Sequence, residues 1–420
     1  MAKRDSSLLT APISRRTFAK VATAAAAAAV TPFNIGRAQG GPLKIGVLLP
    51  RSGVQAGLGQ SCQRGADIAP AVLKEMGYSF PVELLNADTE SSVDVARSRA
   101  EKLINEGAHV LTGAFDSGQS AAIAQVAEQK GVPYVINIAA APQITEQGYQ
   151  YVFRNFPTSV HLITHGLRLF NDLFDATGVK PKTAVLMHIN DTFGQANKKA
   201  IDAFMPKMNL PFKIVETISY DPAARDLSVE VSKAKATQAE ILMVVTRLND
   251  SILLVREMVK QRWEPMGILS PGSPGMYYEQ FYTTLGKYSD YCVTNIPWFN
   301  PKAELTPLVT AQFKKQFPGV RVDTYLFDVG FTFEAILIAA DAYARAKSSD
   351  GKELAAALRT THIKKRVMIG EPIQFDAKGQ NNTNGAACLQ NRDGRPVVVL
   401  PKEVAEMPPV FPMPGWAARA

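Results

Sequence analysis

The chain is short of the residues on which most enzymes and metal proteins build their chemistry. It has three cysteines and five histidines in 420 residues. Cys62, Cys292 and Cys388 are far apart and odd in number, so they define neither a disulfide framework nor a zinc knuckle, and at most one bridge could form. His161 and His165 stand four apart on an expected helix, but a zinc site wants a third ligand and usually an acid beside it, so a plain helix face is the reading. There is no Gly-x-Ser-x-Gly elbow, no Gly-x-Gly-x-x-Gly turn and no Gly-Lys-Ser/Thr loop, which removes the usual anchors for acyl-enzyme, dinucleotide and nucleotide chemistry. No cofactor and no catalytic role are expected. Nor is there a basic run interleaved with aromatics, so nucleic acid is not an expected partner.

What is present begins with a segment that does not belong to the fold. Ser14-Arg15-Arg16-Thr17-Phe18-Ala19-Lys20 precedes ten weakly apolar residues, Val21 to Val30, and then Gly36-Arg37-Ala38, a small-x-small cleavage pattern. This is the order of an export signal, and the paired arginines resemble the twin-arginine type, although Ala19 stands where a larger apolar residue is usual. Ten alanine-rich residues fall short of the roughly 20 that span a bilayer. Residues 1–38 are therefore read as an export signal cleaved near Ala38, with the mature chain in the periplasm. Their loss lowers the formal charge from +8 to about +3, because they hold six basic residues and one acid.

The remainder is long enough for two domains. Strands are expected at 43–49, 82–85, 108–111 and 134–138, alternating with helices at 60–76, 93–105 and 121–129. The rhythm restarts after Thr158 with helices at 161–175, 194–204, 227–236 and 251–261 around strands at 183–188, 212–218, 240–245 and 266–269. Apolar strands between amphipathic helices predict an α/β fold of two doubly wound parallel-sheet lobes. Further helices are expected at 325–346, where Asp328 reads as a capping or lobe-bridging residue, and at 352–359. Asp393-Gly394 between apolar runs signals a late hairpin.

One junction stands out. The apolar run ending at Gly113 gives way, after Ser117, to a helical pattern. A strand, a short loop and a helix start present free N–H groups and a positive dipole end to an anion. Ser117 could cap that helix or bond a ligand.

Several pieces in fixed order carry a resemblance: Ile45-Gly46-Val47-Leu48-Leu49-Pro50-Arg51-Ser52-Gly53, Gly65-Ala66, Gly113 to Ser117, Ala139-Ala140-Ala141-Pro142, Gly148-Tyr149, Phe193-Gly194 and Gly370 to Gly379. Together with the export signal they resemble the periplasmic solute-binding proteins of ABC importers, in the branched-chain amino acid (leucine, isoleucine, valine) receptor class. The resemblance implies a type I periplasmic-binding fold, two lobes joined by three crossing segments near 155–158, 295–297 and 366–371, with ligand closed in the cleft. Lobe 1 is expected to hold residues 39–156 and 298–367, lobe 2 residues 157–297 and 368–410, with an irregular tail at 411–420.

The resemblance also places the ligand contacts. Ser117 falls on the serine that holds the ligand carboxylate, with Phe115 beside it, and Ala139 on a backbone contact. Ala140 stands where amino acid receptors often carry a threonine. Phe193 matches an aromatic that packs on the ligand, and Leu58 another in a first-lobe loop. Gly272 stands where those receptors tend to place the acid that pairs with the ammonium, and a buried ammonium without such a partner costs several kcal/mol, on the order of a buried unpaired charge. Arg247, after the strand ending at Val245, faces the cleft by the strand-end rule, and its guanidinium suits a carboxylate; the plain alternative is a surface pair with Asp250 or Glu257. The expectation is a monomeric receptor that captures a small organic carboxylate, an aromatic acid among the candidates, and delivers it to a membrane permease. A branched-chain or other amino acid receptor of the same class is the first alternative, and a ligand-sensing regulatory protein of similar fold the second.

Overall fold

The first strand, β1 (Leu43–Leu49), is buried along nearly its whole length, as a run of apolar residues flanked by strands on both sides requires. The computed structural model describes residues 41–300, 302–323 and 326–419. The expected export signal lies outside them, as does Tyr325 at the head of an expected helix. Gly40–Ala420 forms a compact unit.

Within that unit are two sheets. The first orders β2 (Val82–Asp88), β1, β3 (Val110–Gly113), β4 (Tyr134–Ile136) and β5 (Val152–Arg154), all parallel. In the second, β10 (Val293–Ile296), β9 (Ile268–Ser270), β8 (Ile241–Val245), β6 (Thr183–Ile189) and β7 (Lys213–Tyr220) are parallel. An antiparallel hairpin, β11 (Ala387–Arg392) and β12 (Arg395–Leu400), extends its edge. Asp393 and Gly394 turn that hairpin with φ of 52° and 71°, the two left-handed residues of the tight turn that an Asp-Gly step favours.

Helices cover both sheets. In lobe 1, α1 (Ala56–Glu75) packs against the long α10 (Leu326–Ala346), and α2 (Val93–Asn105) against α3 (Ser117–Lys130). Helix α10 is buried on almost every side, so it is a core element rather than an amphipathic cover. In lobe 2, α4 (Ser159–Thr177) packs against α5 (Thr192–Phe204), and α7 (Leu248–Lys260) against α8 (Glu279–Leu285). The pattern of alternation matches the expected fold class.

Two features of the chain path depart from the expected boundaries. The first two crossings fall near 155–158 and 297–299, but the third lies later than 366–371. The extended stretch from 363 to 385 folds on itself through Ile363–Ile373 and Gly370–Asn384 and is tied to lobe 1 where Gln380 pairs Arg154 at the edge of the first sheet. Only at Ala387 does the chain join the second sheet, opposite Ile296. The expected switch to lobe 2 at residue 368 is therefore early. The reason is Arg154, a buried edge-strand arginine that draws Gln380 to itself (Nε to Oε1, 2.6 Å), a partner that local pattern cannot reveal. The tail is packed: Phe411, Met413 and Trp416 are buried and the Trp416 indole donates to the Trp263 carbonyl (2.9 Å).

A buried network pins the crossings. Glu334 of α10 receives Arg366 on both carboxylate oxygens (3.2 and 3.0 Å), the Asn155 amide (2.9 Å) and the backbone N–H groups of Val367 and Met368 (both 2.9 Å). Arg366 continues to Asn384 (2.6 Å). One carboxylate thus ties the first crossing to the stretch before the third.

Candidate functional site

Strand β3 ends at Gly113, where a Cβ would fall 1.9 Å from the Leu48 carbonyl oxygen and φ is +124°, so the turn admits only glycine. The chain then reaches Asp116, and this residue, not Ser117, caps α3: its Oδ1 accepts the N–H groups of Gly118 (2.8 Å) and Gln119 (3.0 Å). Ser117 is the first residue of the helix. Its hydroxyl instead accepts the Ala141 N–H (3.3 Å), joining the helix start to the loop after β4.

That loop is held from behind. Arg154 donates from Nη1 to the carbonyls of Ala139 (3.1 Å) and Ala141 (2.7 Å) and from Nη2 to the Thr145 hydroxyl (2.7 Å). It is fully buried and forms no ion pair among the described residues, and burial draws its pKa down to about 9 against the pull of Glu146 and Asp376. The Ala140 carbonyl instead accepts the N–H (2.6 Å) and hydroxyl (2.9 Å) of Ser159, and the N–H groups of Ala139 and Ala140 donate to no other group among the described residues.

The facing lobe is built the same way. After β6, Asp191 caps α5 through Oδ1 to the Gly194 N–H (2.8 Å). After β8, Arg247 starts α7, and its N–H is taken by both oxygens of Asp250 (3.0 and 3.1 Å). Burial pushes the Asp250 carboxyl up to about 6, opposed by the Tyr220 hydroxyl and Arg247. Strands β6 and β8 are neighbours whose connections leave in opposite directions, as are β1 and β3. In open α/β sheets ligands bind at such switch points, beyond the carboxyl ends of the strands.

The two halves meet at Arg247. Its Nη2 donates to Asp116 Oδ2 across the cleft (2.7 Å), and its Nη1 to Asp191 Oδ2 within its own lobe. Each cap aspartate therefore spends one oxygen on helix N–H groups and the other on the guanidinium. Gln55 adds a donor to Asp116 (3.1 Å), and the guanidinium lies over the Phe193 ring at 5.0 Å. Arg247 and Asp116 are buried, so these are desolvated, charge-assisted contacts. The surface pairing with Asp250 or Glu257 is not what forms: of Arg247, Asp250 takes the backbone N–H and not the guanidinium.

Seven of the eight residues singled out from sequence, Phe115, Ser117, Ala139, Ala140, Phe193, Arg247 and Gly272, line one enclosed chamber, which Phe156, Pro274, Ile296 and Phe327 help to complete. Its volume is about 20 Å³, room for about one water molecule. Leu58 is not there. Helix α1 begins at Ala56, earlier than expected, so Leu58 sits in its first turn and lines a separate, open cleft of about 600 Å³ on the other side of Arg247. At Gly272 a Cβ would lie 2.5 Å from Leu162 Cγ, so any side chain at this position would have to displace Leu162.

Sequence reasoning missed Asp116, Asp191 and Gln55. The signal was available for the aspartates: each directly precedes a helix, and aspartate caps helices as readily as serine. Phe156 and Phe327 come from distant segments and carried no local signal. Among the described residues no group of three His, Cys, Asp or Glu could hold a metal ion, and no helix is long and apolar enough to cross a membrane.

The family described as periplasmic binding protein matches residues 42–395. A Leu/Ile/Val-binding protein homolog of Brucella abortus is 24% identical over 375 residues, covering 86% of this chain and 92% of that protein. The fold resembles that of a leucine binding protein from Thermotoga maritima (TM-score 0.71, 20% identity, 85% of this chain and 97% of that one). It resembles equally a solute binding protein of an ABC transporter from R. palustris in complex with benzoate (TM-score 0.71, 18% identity, 86% of this chain and 96% of that one).

Proposed function

This chain belongs to the periplasmic binding protein family, and from that premise we propose that it is a receptor of the branched-chain amino acid class that captures a small organic carboxylate, with aromatic acids in its range, and hands it to a membrane permease. The observation that carries the ligand class is the lining of the chamber: phenyl rings from Phe115, Phe156, Phe193 and Phe327, polar groups from Ser117 and Arg247, and no carboxylate side chain. An ammonium placed there would lack the acid that its burial demands. A carboxylate would meet the Ser117 hydroxyl and the N–H groups of Ala139 and Ala140 at the head of α3, where a negative charge is favoured.

Arg247 closes this site from the other lobe. Because its bond to Asp116 spans the cleft, admitting a ligand parts that contact, and closing the lobes on the ligand brings the guanidinium back over it. Contacts made only in the closed state couple occupancy to closure, and the permease reads closure. The chamber as closed is too small for a ring, so the lobes separate to load it.

The rival ligand is an α-amino acid, as the name of the Brucella homolog says of that protein. One observation favours it: Asp116 and Asp191 together outnumber Arg247 by one charge, and Asp191 is partly open to solvent. Calorimetry of the mature protein with benzoate, hexanoate, leucine and valine decides between them. Saturable binding of the acids, weakened at least tenfold by Arg247→Ala or Ser117→Ala, supports the carboxylate reading; binding of leucine with no response to the acids refutes it. Conversion of any bound compound would refute the receptor role itself.

A further inference from the structure

The open cleft beyond Arg247 has a charge pattern that the receptor reading leaves unused. At about 600 Å³ it lies within the range of sites that hold whole ligands, whereas the inner chamber, at about 20 Å³, is far below the roughly 150 Å³ of a cavity that takes up benzene. The two spaces share one wall residue, Arg247.

Three arginines border the outer cleft: Arg225 from the loop after β7, Arg247 just ahead of α7, and Arg256 on α7. Their circumstances differ. Arg247 is held by Asp116 and Asp191. Arg225 and Arg256 make no ion pair and donate no side-chain hydrogen bond among the described residues. The acids in the same wall are committed, Asp191 to Arg247 and the Gly194 N–H, Asp250 to the Arg247 N–H and the Tyr220 hydroxyl. Leu58, Leu248, Ile252 and Leu253 provide an apolar floor. The cleft thus offers two uncommitted positive charges over a hydrophobic surface, with no uncommitted negative charge.

We infer that the outer cleft is a second anion subsite and that the preferred ligand is a two-headed acid: one carboxylate at Ser117 with the adjoining apolar body among the chamber's phenyl rings, the body continuing past Arg247 over Leu58, and a second carboxylate met by Arg225 and Arg256. The inference rests on the carboxylate reading of the chamber and names its substrate class. A single-headed acid fills only the inner part and leaves the two guanidinium groups facing water. A second carboxylate gains charge-assisted contacts there, with a salt dependence that exposed charges impose.

The test uses matched pairs in calorimetry on the mature protein at low ionic strength: terephthalate against 4-methylbenzoate, and adipate, suberate and sebacate against hexanoate, octanoate and decanoate. In the wild type at least one diacid binds about tenfold or more tightly than its matched monoacid, and the advantage shrinks as salt is added. In Arg225→Ala/Arg256→Ala, whose exposed positions permit folding that circular dichroism verifies, the ratio falls to about one. Equal affinities in every pair, or a diacid advantage that survives the double substitution, overturns the inference while leaving the carboxylate reading standing. If neither diacids nor monoacids bind and leucine does, both fall together.

Discussion

Asp328 offers the sharpest test of the physical account. It is fully buried on α10 in lobe 1 and accepts the Tyr278 hydroxyl of lobe 2 (3.0 Å), so of the two roles open in the sequence, capping or bridging the lobes, this contact is the bridge. Its other oxygen and the nearby Ser61 hydroxyl have no hydrogen-bond partner among the described residues. Burial pushes its pKa up to about 7, against the lowering influence of Ser61, Tyr278 and Arg64; Cys62 and Tyr277 also face it. The sign follows from the raised value. Below about pH 4 the group is protonated in both folded and unfolded chains and costs nothing. Between about 4 and 7 the unfolded chain gives up the proton while the folded one keeps it, so stability falls as pH rises, and above 7 the loss is complete. A shift of about three units corresponds to roughly 4 kcal/mol as an upper figure. Asp328→Asn keeps an acceptor for Tyr278, offers Ser61 a donor, and removes the titration. Urea unfolding of both proteins at several pH values cancels the other titrating groups in the difference. The expectation is an advantage to the variant of no more than about 1 kcal/mol at pH 4.5, growing to about 2–4 kcal/mol at pH 8, the range allowing for relaxation around the charge. A difference that stays constant across this range would refute the assignment of a buried, largely protonated carboxyl.

Other outcomes follow from the same contacts. Arg366→Met leaves Glu334 buried with its charge partner gone and should cost about 3–5 kcal/mol, seen in urea unfolding; a loss below about 1 kcal/mol would mean the network does not pin the crossings. Asp116→Asn still caps α3 but gives up its charge on Arg247, so the unliganded protein should open, read as a larger radius of gyration in solution scattering; an unchanged radius would show that the Asp116–Arg247 bond does not hold the lobes together. Gly272→Ala forces a Cβ into Leu162 and should cost about 1–3 kcal/mol as overpacking, and a stability equal to wild type would show that α4 yields there.

Much of this protein was legible without its fold. The near-continuous apolar strands and amphipathic helices determined two α/β lobes, because periodicity is a local consequence of burying one face of a helix or both faces of a strand. The resemblance to the periplasmic solute-binding proteins pointed to the loops that line the chamber, with the strand-end rule adding its weight at Arg247, and Phe115, Ser117, Ala139, Ala140, Phe193, Arg247 and Gly272 do converge. The short strands Val152–Arg154 and Val293–Ile296 and the helix Thr306–Gln316 escaped notice: three or four residues show no period, and a helix of mixed composition shows little contrast.

What only the tertiary structure decided is who partners whom across long separations. Arg247 could be seen to face a cleft, but that its guanidinium is gripped by Asp116 and Asp191 depends on three helix starts from two lobes meeting at one point. Arg154 reaches Gln380, and Glu334 reaches Asn155 and Arg366, pairings separated by up to more than 200 residues and set by packing rather than pattern. Local order is written in hydrophobic spacing. The charge balance of the cleft, and the place where the chain crosses back into lobe 2, are properties of buried groups that find their partners only once the lobes have formed.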